Sequence, residues 1–458
     1  MKINILLGAV LAFTVRVESS ARCCLQSARY YDFPSHSAVG RSVVFSPNGS
    51  YLATANPNLG PFSGDITVFS VGEGGVLSGG TSYALPVGST AAFSVAFSPN
   101  GKYLATANNI SSNVTLFSVG AEGVLSGGTS YALPADSAAP ISVAFSPNGL
   151  YLAVANQSGN VTIFIVEAGG VLSGGTSYAL PSDASSPFSI AFSPNGSYLA
   201  IANQGSNNVT LFSVTEGQLS GGTSYPLPSN SSWPFSIAFS PNGSYCATAN
   251  QNSMDVTLFS VTGGALNRGT SYPLPSGSRA PSSVAFSPDG QCLATANNGS
   301  HDRGDVTVFG VGAGGVLTKG VSHASSPGTS PLAVAFSPNG LYLVTGNSVY
   351  LAGSASSSVA LFTTTGCSSS TTTSTGDGAS STTTGTGDGA SSTTTGAGDG
   401  ESSLPSITEI SLGLVALGGV TLSTLIVGIL LYKYFRHRDT YGLVINAGVG
   451  GSEAEAEL

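Results

Sequence analysis

Short apolar runs separated by small polar residues recur along the chain, and inside each run the alternation has the period of a strand. In Val114-Thr-Leu-Phe-Ser-Val119, Val114 and Leu116 point one way while Thr115, Phe117 and Val119 point the other. Both faces carry apolar groups, so the predicted sheet is covered on both sides. Around this run the pattern predicts three more strands: Phe93–Phe97 (a), Tyr103–Ala107 (b) and, beyond a Gly-rich stretch, Thr129–Pro134 (d), with the run itself as c. Strands a and b are joined by Ser98-Pro99-Asn100-Gly101, where proline presets φ and Asn-Gly accepts positive φ. The marker Phe-Ser-Pro-Asn-Gly begins at Phe45, Phe97, Phe145, Phe192, Phe239, Phe286 and Phe336, with Asp for Asn in the sixth copy. A period of 47 to 52 residues, with four short strands in each, predicts an all-β, seven-bladed β-propeller.

The two ends of the repeat array are complementary. Arg29-Tyr-Tyr-Asp-Phe-Pro34 matches the strand d pattern but precedes any strand a, and the seventh repeat runs out after strand c. Pairing the first strand with the last blade closes the ring and removes two exposed edges. The cysteines fit that closure. Aligned on the second repeat, Cys367 falls at Glu122, and Cys23 and Cys24 at Gly123 and Val124, so a disulfide from Cys367 to Cys24 or Cys23 would replace the missing covalent loop. Cys246 and Cys292 lie in strand b of adjacent blades at positions of opposite facing. They are either a second bridge or two separate thiols.

Outside the repeats the composition changes. Residues 1–21 have a lysine start, an apolar run and a small-residue cleavage site, which predicts a secretory signal. The propeller ectodomain is assigned to 22–365 and a Ser/Thr/Gly-rich stalk, low in apolar residues, to 366–409. The charge-free run within 410–432 predicts a single transmembrane helix, and the basic residues that open the tail, 433–458, place that tail in the cytoplasm. The expected location is the plasma membrane, with the propeller on the cell surface. A net charge of −9 argues against nucleic acid as a partner.

Chemistry is sparse. There is no metal-ligand spacing, no nucleotide-binding loop and no Ser/His/Asp arrangement, so no cofactor, metal or catalytic residue is assigned. The distinctive side chains gather in the d–a and b–c loops of blades 5 and 6: Trp233, Met254, Arg279, His301, Asp302 and Arg303, a candidate ligand patch. Ten Asn-x-Ser/Thr sequons are candidates for glycosylation: Asn48, Asn109, Asn113, Asn156, Asn160, Asn195, Asn208, Asn230, Asn242 and Asn298. Glycans would hydrate a surface in which only 8% of residues are charged.

The repeat Ser-Val-Ala-Phe-Ser-Pro-Asn-Gly-Lys-Tyr-Leu-Ala-Thr-Ala-Asn, followed by Asn-Val-Thr-Leu-Phe-Ser-Val, resembles the YVTN and lactonase-like group of seven-bladed propellers, which is related to WD40 repeats. The chain lacks the Trp-Asp pair of WD40 repeats proper. The resemblance implies a fold more than an activity. The near-identity of the blades favours a cell-surface protein that binds a protein or glycan ligand in adhesion, recognition or a surface coat. The alternative is a membrane-anchored lactonase-like hydrolase, for which Arg279, His301 and Arg303 are the nearest candidates.

Overall fold

In a computed structural model, residues 14–18, 23–26, 28–34, 39–57, 64–299, 304–349, 358–364, 442–449 and 452–456 are described. They fall into two units. One contains a three-stranded antiparallel sheet in the order Thr14–Glu18, Gly442–Val449, Ser452–Ala456. Its first strand lies within the predicted signal, so cleavage after Ala21 would remove it. The predicted span 410–432, the stalk and Cys367 lie outside the described residues; among the described residues no helix is long and apolar enough to cross a membrane.

The other unit is the propeller. Seven antiparallel sheets each take strands a to d in order, as in blade 2: Ala92–Phe97, Tyr103–Asn108, Asn113–Val119 and Leu125–Ala132. Strand d starts earlier than the sequence pattern predicts. The Gly-rich stretch is part of the strand, and a bulge between Ser126 and Thr129 absorbs Gly127 at φ +63°. Apolar clusters fill the gaps between blades; Ala105, Val114 and Leu116 of blade 2 meet Val143, Leu152 and Phe164 of blade 3.

The ring closes as expected. Blade 7 consists of Thr329–Phe336, Tyr342–Val349 and Ser358–Thr363, with Arg29–Asp32 as its outer strand, Arg29 opposite Leu361 and Asp32 opposite Ser358.

One contact recurs at the c–d turn. The strand b tyrosine of each blade packs beneath a glycine in the c–d turn of the next. A Cβ on Gly123 would come within 2.6 Å of the Tyr51 ring, so no larger residue fits. The same pair recurs as Tyr103–Gly170, Tyr151–Gly217, Tyr198–Gly264, Tyr245–Gly315 and, across the closure, Tyr342–Gly75. Only the junction of blades 6 and 7 departs: Cys292 holds the tyrosine position, Cys23 the glycine position, and the two form a disulfide with Cα atoms 5.9 Å apart. This corrects the bridge considered between Cys246 and Cys292. Cys246 is free and packs into the junction of blades 4 and 5, whereas Cys292 faces blade 7, so both point away from the junction their blades share. Cys24 is also disulfide-bonded.

Candidate functional site

Each innermost strand leaves one edge of backbone N–H groups facing the central channel, and the repeat supplies their acceptors. Ser42 of blade 1 accepts from the N–H of Val95 in blade 2 at 3.3 Å. Ser94 accepts from Val143, Ser142 from Ile190, Ser189 from Ile237, Ser236 from Val284 and Ser283 from Val334, at 3.1 to 3.4 Å. The seventh member is absent: blade 7 carries Ala333, so Val43 of blade 1 meets no such hydroxyl.

The residue before each serine forms the mouth of the channel. It is Phe93, Ile141, Phe188 and Phe235 in blades 2 to 5, and Arg41 in blade 1. Together with Gln251 and Asn298 from the b–c loops they surround a cavity of about 190 Å³. Arg41 reaches across this space. Its guanidinium carbon lies 4.4 Å from the ring centroid of Phe93 and 5.7 Å from that of Phe188. It meets no carboxylate among the described residues, and burial pushes its pKa down to about 10. It therefore stays charged at neutral pH, held on aromatic faces rather than in an ion pair.

The acidic groups nearest in the repeat are occupied. Asp255, at the start of strand c in blade 5, accepts from Ser253 and Asn250 on one oxygen at 2.6 and 2.8 Å, and from Ser231 on the other at 2.5 Å. Asp305 is enclosed in the same way by Ser278 and Ser322, at 2.6 and 2.5 Å, and by Asn297. Asparagine takes this place in blades 2 to 4, Asp65 in blade 1 and Ser358 in blade 7, and Asp65 likewise accepts from Asn56, so the carboxylates are variants of a structural network. Among the described residues lining the mouth there is no carboxylate or histidine, and no metal-binding cluster occurs among the described residues.

The predicted patch is reached only in part. Trp233 and Met254 are exposed, at 46% and 41%, and Arg279 is exposed on the same rim. The carbonyl of Trp233 accepts from the N–H of Gln251, which ties it to the channel mouth. Its φ of +61° is no special strain, since Ala91, Ala139, Ser186 and Ala280 adopt the same conformation at the equivalent positions. His301, Asp302 and Arg303 lie outside the described residues. Arg41 was missed because it sits inside the repeat rather than in a loop. Aligning the residue four places before each marker phenylalanine exposes it.

The sequons divide sharply. Asn156, Asn160 and Asn208 are buried, and each Nδ2 is already donated within the polar network, which rules them out in the folded chain. Asn113 is similarly tied to the carbonyl of Gly88. Asn109 donates to the carbonyl of Pro140, and Asn298 lines the channel. Asn48, Asn195, Asn230 and Asn242 are exposed.

A family model described as lactonase, 7-bladed beta-propeller, matches residues 41–177 and 176–278, together just over half of the chain. One for the WD domain, G-beta repeat, matches 273–304. The fold is thus that of the seven-bladed propellers, and the chain belongs to the lactonase-type family among them. A solved structure of a putative 6-phosphogluconolactonase from Bacteroides fragilis is 17% identical, with a TM-score of 0.56 over 70% of this chain and 96% of that one. The periplasmic gluconolactonase PpgL of Pseudomonas aeruginosa is 20% identical, with a TM-score of 0.55 over 69% and 97%. U3-55K, at 16% identity and a TM-score of 0.55, has a similar fold over 73% and 98%. No curated protein matches the chain significantly.

Proposed function

We propose that this protein is a lactonase-type propeller whose channel mouth takes a small hydroxylated ligand of the sugar-lactone class. This gives priority to the hydrolase alternative over adhesion. The observation that carries it is the mouth itself: aromatic rings, two amides and one guanidinium converge on a cavity of about 190 Å³ in a chain of the lactonase family. Drug-sized ligands occupy cavities of roughly 300–1,000 Å³, so this one suits a single ring or head group. Lactones of sugar acids fit that size, and the names of the structural neighbours point to the same class. In hydrolysis, the oxygen of a water adds to the acyl carbon, the ring C–O bond breaks, and the ring oxygen leaves with a proton. His301 follows Asn298 by three residues and is our candidate to move that proton. The test is lactone hydrolysis by the purified full-length protein, followed as acid release. Turnover that His301→Ala abolishes and Arg41→Ala weakens supports the reading. No turnover with any aldonolactone overturns it.

A second reading rests on Trp233 and Met254, exposed on the same rim: a recognition surface for a protein or glycan. In both readings we place the propeller at the cell surface, tethered by 410–432. N-terminal sequencing of the mature chain and surface labelling of intact cells test that placement; a chain that retains Thr14–Glu18 speaks against it.

A further inference from the structure

The serine ring has one gap, and the gap lies on the blade that carries the channel's arginine. At the other six junctions a serine oxygen occupies the channel-edge N–H of the following blade. At the junction of blades 7 and 1 the side chain is Ala333, which can accept nothing, so the Val43 N–H is left to the channel. Two residues away in sequence, Arg41 presents a largely buried guanidinium without a carboxylate partner among the described residues. Arg41, Val43 and Ala333 line one cavity. The six ring serines spend their oxygens as acceptors, and none of their hydroxyl hydrogens has an acceptor among the described residues, so they too offer donors. A guanidinium, an open backbone N–H and spare hydroxyl hydrogens, with no carboxylate among the described residues lining the space, favour an anion: charge-assisted donors reward an oxyanion, and the only acceptors there among the described side chains are hydroxyl and neutral amide oxygens.

We propose that the channel mouth is an oxyanion seat, in which the Arg41 guanidinium and the Val43 N–H hold a carboxylate or phosphate group of a small ligand. The seat deepens the sugar-lactone reading, since it makes the ligand an acid-bearing one. It does not need turnover. Arg41 remains protonated across the physiological range, so the seat is charged before the ligand arrives. Its resting place on Phe93 and Phe188 keeps the guanidinium desolvated without neutralising it.

Calorimetric titration of the full-length protein at low salt tests this, with inorganic phosphate and gluconate as probes and glucose as the neutral control. Both anions are expected to bind and to compete, while glucose binds far more weakly. Arg41→Gln is expected to lower affinity about tenfold or more, because a buried charge-assisted contact is lost. Ala333→Ser leaves the charge in place but offers the Val43 N–H an internal acceptor, and a severalfold loss is expected. It serves as the independent variant should Arg41→Gln not fold. Lys102→Gln, in the exposed turn between strands a and b of blade 2, is expected to change affinity less than about twofold. Equal losses from Lys102→Gln and Arg41→Gln, no binding of either anion, or unchanged affinity in Ala333→Ser would each overturn the seat. Lactone hydrolysis that survives Arg41→Gln with unchanged KM would also sink the seat while sparing the hydrolase reading. Anion binding lost in both variants, with no hydrolysis in the parent, would do the opposite.

Discussion

The junction between blades 2 and 3 and the seam formed by blades 6, 7 and 1 are made from the same parts, differently filled. At the first, Tyr103 sits under Gly170 and Ser94 accepts from Val143. Along the seam, the tyrosine–glycine pair becomes Cys292–Cys23 between blades 6 and 7, and the serine becomes Ala333 between blades 7 and 1. The two replacements have opposite sense. The first strengthens the one blade whose outer strand is not joined through a covalent c–d turn. The second weakens the ring where the channel is charged. A departure from a repeat is therefore informative only beside the role its position has in the other blades.

The largest effect is expected from the disulfide. Its cysteines are 269 residues apart, and a cross-link closing so long a loop contributes on the order of 5 kcal/mol in the chain-entropy model. Cys24, next to Cys23, is held by a disulfide of its own, so Cys292→Ser should cost less, about 3 kcal/mol, read as a drop in the denaturation midpoint. The double change Cys292→Tyr and Cys23→Gly restores the pair found at the other junctions and should recover part of that loss. If it recovers none, the tyrosine–glycine contact is not the equivalent of the bridge. Cys246→Leu, which restores the residue of the other blades at a site far from the seam, should leave stability within about 1 kcal/mol.

The serine ring should respond less and in both directions. Ser189→Ala leaves the Ile237 N–H unpaired and should destabilise by about 1 kcal/mol. Ala333→Ser supplies the missing acceptor and should stabilise by about 0.5–1.5 kcal/mol. Arg41→Leu, which copies blade 7, removes an unpaired, mostly buried charge and should also raise the melting temperature. Two changes that stabilise the fold while impairing anion binding would mark the seam as the place where this propeller gives up stability for function. If both destabilise, the regular junction and the seam do not differ as argued.

Much of this was legible in the chain. The period, the strand order and the closing strand follow from positions of Phe, Asn-Gly and Arg29-Tyr-Tyr-Asp alone, because alternation and turn chemistry act locally. Strand d was read too short because Gly127 and Gly128 look like a loop, although one forms a bulge and the other leaves room for the Phe117 ring. Three sequons proved to be buried because asparagine also ends strand b, as Asn156 does, and opens strand c, where Asn160 or Asn208 joins a polar network that only the neighbouring loop reveals. Arg41 escaped notice because its position becomes a channel mouth only when seven blades stand in a circle.

The smallest effect expected along the seam is a pH dependence, and His323 carries it. This residue occupies the place in strand d of blade 6 that tyrosine holds in blades 1 to 5, opposite Val306. Its Nε2 is buried without a hydrogen-bond partner among the described residues. Burial lowers its pKa, and the nearby Asp305 carboxylate offsets this only in part. A base whose folded pKa lies below its unfolded value binds its proton more readily once unfolded. Stability is therefore intact above the unfolded histidine pKa, about 6.5, and falls as pH drops from there toward the lower folded value. Denaturation midpoints measured from pH 8 to pH 5 should show this decline in the parent protein. In His323→Tyr, which restores the residue of the regular blades, the decline should be shallower, with carboxylate protonation left as the background common to both. If the two profiles run parallel, the histidine's buried nitrogen has no bearing on how the seam responds to acid.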